Sequence, residues 1–119
     1  MKILVAADGS TYTKRMLAYL TAHDEWLGAK HDYTVLTVVP PVPARAAAAL
    51  AKEMLKAHYD DEGEKVLKPI RSFFARQGLS SEFIAKTGAA ADVIAAQAEK
   101  GKYDLLLMGS HGHGALGNL

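Results

Sequence analysis

Cysteine is absent from the 119 residues, so neither a disulfide framework nor a thiolate metal site can form. That absence fits a reducing compartment. An excess of one charge is missing too. Fourteen Lys and Arg stand against 13 Asp and Glu, a formal net charge of +1, which offers no basic field for sequence-blind nucleic-acid binding. No apolar run approaches the roughly 20 residues of a membrane span. Met1-Lys2 runs straight into a strand-like segment, so no signal peptide is expected and the expected setting is the cytoplasm. What is present is ordinary globular usage, 50% apolar and 23% charged, which excludes a disordered chain, collagen or a coiled-coil rod. At about 150 residues per domain the length predicts a single domain. Such a domain buries about two-thirds of its unfolded surface in one core.

Lys2 to Ala7 is a short apolar run ended by Asp8-Gly9-Ser10, which predicts a buried strand. From Thr11 to Leu27 the apolar residues Met16, Leu17, Leu20 and Leu27 recur at helical spacing, with Ser10 or Thr11 as cap and Gly28 as stop. Tyr33 to Val39 is β-branched and aromatic, hence a second strand. Pro40, Pro41 and Pro43 forbid its continuation inside a sheet. Arg45 to Gln77 reads as one long helix with Val66, Leu67, Ile70, Phe73 and Phe74 on its apolar face. Asp61/Lys65 and Glu64/Lys68 are expected as i,i+4 pairs on its wet side. Pro69 predicts a kink or break near Lys65 to Lys68, and Gly78 is a good terminator. Ser81 to Lys86 predicts a weaker strand near an edge. Ala89 to Lys100 predicts a helix facing inward through Val93, Ile94, Gln97 and Ala98, and Tyr103 to Met108 a buried strand.

Strands alternating with helices imply parallel pairing through right-handed crossovers. Continuous apolar strands imply helices on both faces. The expected fold is a doubly wound α/β/α sandwich, in which ligands sit beyond the C-terminal strand ends where strand order reverses. Two places meet that rule: Asp8-Gly9-Ser10, and the loop Gly109-Ser110-His111-Gly112-His113-Gly114. Four glycines at 109, 112, 114 and 117 let a ligand approach the backbone closely, and strand-tip amides form an anion cradle suited to phosphate. A glycine-rich flexible tail is the plainer reading of the same residues.

Together, Asp8-Gly9-Ser10, Val35 to Val39 and Asp104 to Gly114 resemble the nucleotide-binding branch of the universal stress protein family. That branch carries Gly, two residues, Gly, nine residues, then Gly-Ser/Thr. Gly109-Ser110-His111-Gly112 matches the first half, and the second half would begin beyond Leu119. The resemblance implies a flavodoxin- or Rossmann-like domain of sheet order 3-2-1-4-5 that binds ATP. It places Ala7 and Asp8 beside the nucleotide, with the aspartate near the ribose or a Mg ion, and the backbone of Val38 on the adenine. Gly109, Ser110, His111, Gly112, His113 and Gly114 would wrap the ribose and phosphates. The family's dimerisation through a final strand implies a homodimer. Residues 1–119 then read as one such domain lacking its last helix and strand, which leaves the fourth strand as a bare apolar edge unless a partner covers it.

Each of these residues also has a structural reading. Asp8 can cap the first helix, and Val38 can be a core strand residue. His111 and His113 lack a nearby third ligand, so no metal site is assigned to them. His23, His31 and His58 read as surface or helix-edge positions. No P-loop and no lysine or arginine in the glycine loop support phosphoryl transfer. The expected function is therefore an ATP-binding, stress-response regulatory module. The alternatives are a slow ATP hydrolase and a dimerisation module of the same family that binds no nucleotide.

Overall fold

The computed structural model describes residues 1–8, 10–23 and 30–108. Its elements follow in the order β1 (Lys2–Ala6), α1 (Thr11–Ala22), β2 (Asp32–Val39), α2 (Ala44–Ala48), α3 (Lys52–Arg76), β3 (Ser80–Thr87), α4 (Ala90–Gly101) and β4 (Leu105–Met108). The four strands form one sheet in the order β3-β2-β1-β4, and all three pairings are parallel. This is the expected doubly wound sheet, with its first four strands in the expected places.

Strand alternation sends β1 and β2 side chains to two different layers. Ile3, Val5, Ala7, Tyr33 and Val35 face one way and pack with Met16 and Leu20 of α1 and Leu67, Ile70 and Phe74 of α3. Phe74 is fully buried and meets Tyr33, Phe73 and Phe83 edge-on, with ring centroids 5.4, 5.7 and 5.9 Å away. Edge-to-face pairs of this kind add about 0.5–1.5 kcal/mol each beyond the area they bury. Leu4, Ala6 and Leu36 face the other way, toward α4, whose inward residues Val93, Ile94, Gln97 and Ala98 are those the periodicity predicts. Gln97 satisfies its amide by donating to the Tyr103 hydroxyl at 3.1 Å.

The Arg45–Gln77 helix is two helices. Ala49 to Ala51 interrupts it, with Ala51 extended (ψ 149°) before α3 begins. Pro69, by contrast, sits inside an uninterrupted α3. Leu67, Ile70 and Phe74 anchor the helix to the core on both sides of it, and the lost hydrogen bond lies on the exposed side. α3 ends at Gly78 in the left-handed region (φ 67°). The Leu79 amide donates to the Phe74 carbonyl and the Gly78 amide to that of Ala75, a Schellman closure. The charges along α3 also pair differently from expectation. Lys65 reaches Glu62 at 3.5 Å, and Arg71 grips Glu64 through two hydrogen bonds of 2.8 and 3.1 Å.

β4 departs from the buried strand its apolar run suggests. Leu105 and Leu107 are half-buried, while Leu106 and Met108 are each 41% exposed on the α4 side of the sheet. Their register partners Leu4 and Ala6 are buried under α4, so cover on that face stops short of β4 among the described residues.

Candidate functional site

Parallel strands bring their C-terminal ends to one rim. β1 and β4 finish side by side, with Ala6 opposite Met108, and β2 continues past them to Val39. The chain leaves β1 through Ala7, whose amide still donates to the Leu36 carbonyl at 2.9 Å. Ala7 is buried, and Asp8, one residue later, is exposed at the rim.

The turn after β1 holds Asp8 in place. Its Oδ1 accepts hydrogen bonds from the Ser10 amide and the Thr13 hydroxyl, both at 2.9 Å. Its own amide donates to Thr13 Oγ1 at 3.2 Å. Partial burial pushes the Asp8 carboxyl up, but the Ser10 and Thr13 hydrogen bonds outweigh it and hold the carboxyl below the usual aspartate value. Asp8 is therefore ionised at neutral pH, with acceptor capacity beyond the bonds the turn supplies.

Beside Asp8, on the α4 face, a recess of about 120 Å³ is lined by Ala6, Ala7, Leu36, Val38, Ala90, Ile94 and Met108. Among the described residues, Asp8 is the one charged residue in its wall. Over the rim lies a wider cleft of about 560 Å³ that shares Asp8, Val38 and Ala90 with the recess. Thr37, Val39 and Pro40 of β2 and its exit form one side of this cleft, and His58, Glu62 and Val66 of α3 the other. The Val42 amide donates to the Tyr59 hydroxyl at 2.9 Å, which ties the proline segment to α3 and frames the opening. An apolar slot with a few polar groups at its mouth suits a small, flat, largely apolar group carrying hydrogen-bond donors. Among the described residues, no lysine or arginine lines the recess or the cleft. None of them form a group of three or more His, Asp or Glu able to hold a metal ion.

Of the site residues expected from sequence, Ala7, Asp8 and Val38 come together around one recess. Gly109, Ser110, His111, Gly112, His113 and Gly114 lie outside the described residues, and Met108, directly before them, lines the recess. Sequence reasoning missed Ala90 and Ile94 as lining residues, and it gave His58 only a surface or helix-edge position. A signal for the α3 wall exists: His58, Glu62 and Val66 recur every four residues and so share a helix face.

Solved structures similar to this chain point one way. A universal stress protein from Arabidopsis thaliana with AMP bound is 21% identical; the match covers 99% of this chain and 82% of that one, with a TM-score of 0.72. A universal stress protein in complex with cAMP is 20% identical over 89% of this chain and 73% of that one, with a TM-score of 0.60. The universal stress protein UspA from Lactobacillus plantarum is 20% identical over 91% and 75%, with a TM-score of 0.62. At these identities the likeness is one of fold. No curated protein matches the chain. The sequence model of the universal stress protein family matches residues 1–119, the full length. The chain belongs to the universal stress protein family.

Proposed function

We propose that this protein binds an adenine nucleotide at the rim where β1, β2 and β4 end. The observation that carries the reading is the apolar recess with an ionised, hydrogen-bonded Asp8 at its mouth. The base enters the slot between Val38, Ala90 and Ile94, and the sugar hydroxyls donate to Asp8. Gly109 to Gly114, which follow Met108 directly in sequence, supply the phosphate contacts. Relatives of the same fold that hold AMP or cAMP support this choice of ligand.

ATP is the nucleotide of this proposal, and Mg²⁺ fits the donor set. Magnesium is commonly held by one or two carboxylates plus phosphate oxygens, and Asp8 is a carboxylate kept ionised at the site. The ion would supply charge neutralisation to the phosphates. The role that follows is that of a nucleotide-dependent, homodimeric regulatory module of the stress response in the cytoplasm. Binding without rapid turnover is favoured because no described cation lines the recess or cleft to stabilise a transferring phosphoryl group.

Equilibrium titration with fluorescent ATP and AMP analogues tests the reading. The expected result is saturable binding, weakened about tenfold in Asp8→Ala, as for loss of a hydrogen bond to a charged group. No saturation at millimolar nucleotide overturns it.

A further inference from the structure

We propose that Thr13 is a positioning residue for the nucleotide site, acting on the ligand only through Asp8. The inference rests on the nucleotide reading above. Thr13 lies in the first turn of α1 and is 2% exposed, so no ligand in the recess reaches it, and it does not line that recess or the adjoining cleft. Its hydroxyl is bonded on both sides to one residue. It accepts from the Asp8 amide at 3.2 Å and donates to Asp8 Oδ1 at 2.9 Å. A hydroxyl has a single proton to donate, and here that proton is committed to the carboxylate. One buried group thus ties both the main chain and the side chain of Asp8 to the start of α1.

The reciprocal pair matters because Asp8 is exposed and stands at the end of a strand. A free aspartate there would sample several rotamers, and a ligand would have to bear the cost of ordering it. Thr13 and the Ser10 amide order it in advance. A threonine that served only to fill the core would need its methyl group, whereas this role needs only the hydroxyl. Valine and serine substitutions separate the two.

The experiment measures nucleotide affinity of the full chain for Thr13→Val, Thr13→Ser, Asp8→Ala and the double variant Thr13→Val/Asp8→Ala, using a fluorescent AMP analogue. Thermal unfolding is followed in parallel. Thr13→Val, which keeps the shape and loses the hydroxyl, weakens binding about tenfold. Thr13→Ser restores affinity to within about twofold of the parent. In the Asp8→Ala background Thr13→Val has little further effect, because the carboxylate it orders for the ligand is gone and only the bond from the main-chain amide at position 8 remains to be lost. If Thr13→Val lowers the unfolding temperature so far that binding cannot be read, Thr13→Ala takes its place in the same cycle. Undiminished binding by Thr13→Val, or losses that simply add in the double variant, overturns the proposal while leaving the nucleotide reading intact. Failure of the parent chain to bind overturns the nucleotide reading itself.

Discussion

Asp8 is a small amount of chemistry set at a decisive place. The turn that holds it lowers its pKa, and this carries a consequence for stability. A carboxylate whose folded pKa is depressed stabilises the native state above its unfolded pKa, and loses that contribution as pH falls through the folded value. Glu64 acts in the same direction, since hydrogen bonds from Arg71 hold its carboxyl down, although an exposed pair contributes little. Acid unfolding followed by circular dichroism therefore shows stability declining below the ordinary carboxylate range. Asp8→Asn, which cannot titrate, flattens the part of that decline due to Asp8. An identical acid limb in parent and variant contradicts the assignment. Asp8 was legible in the sequence because an apolar strand ending in Asp-Gly-Ser puts its exit at the rim of a parallel sheet, whereas Ala7 and Val38 entered only through the family resemblance. His58 and Glu62 were not. They reach the cleft from an exposed helix face, and only the path of α3 across the sheet brings that face to the rim.

At the scale of elements, α3 and β3 approach unusually closely. Gly63 is buried, and a Cβ placed on it would come 2.9 Å from Ala85 Cβ. Two terms compete in Gly63→Ala. Helix propensity favours alanine by about 1 kcal/mol, whereas overpacking costs about 1–3 kcal/mol. The neighbour is a short, stiff side chain on a strand, so overpacking wins. Gly63→Ala is expected to be destabilised by up to about 2 kcal/mol in urea unfolding, and a more stable variant would contradict the close contact. The helices also show where pattern reading stops. The Ala49–Ala51 interruption carries no glycine or proline to announce it, and alanine is the best helix former. The reading placed a kink or break near Pro69 instead, where α3 continues without interruption between the buried Leu67 and Ile70. Gly78 was read correctly because a left-handed terminator leaves a distinct residue type in the sequence.

For the molecule as a whole, the sheet was the most legible feature. β1, β2 and β4 are apolar runs of strand length, helical spacing separates each strand from the next, and parallel order follows from the crossovers between them. The burial of β4 was less legible. Whether a Leu-Leu-Leu-Met run is covered depends on how far α4 reaches, and among the described residues it leaves Leu106 and Met108 exposed. The strand order in turn decides where the rim residues meet. It sets β1 between β2 and β4, so Asp8, Val38 and Met108 border one recess although they are far apart in the chain. The whole account depends on that recess being the place where a nucleotide enters. Amide chemical shifts recorded during titration with AMP and ATP test this most directly. The account predicts saturable shifts concentrated at Ala6 to Asp8, Leu36 to Val39, Ala90, Ile94 and Met108. Saturable shifts centred elsewhere on the molecule, or none at millimolar nucleotide, would contradict it.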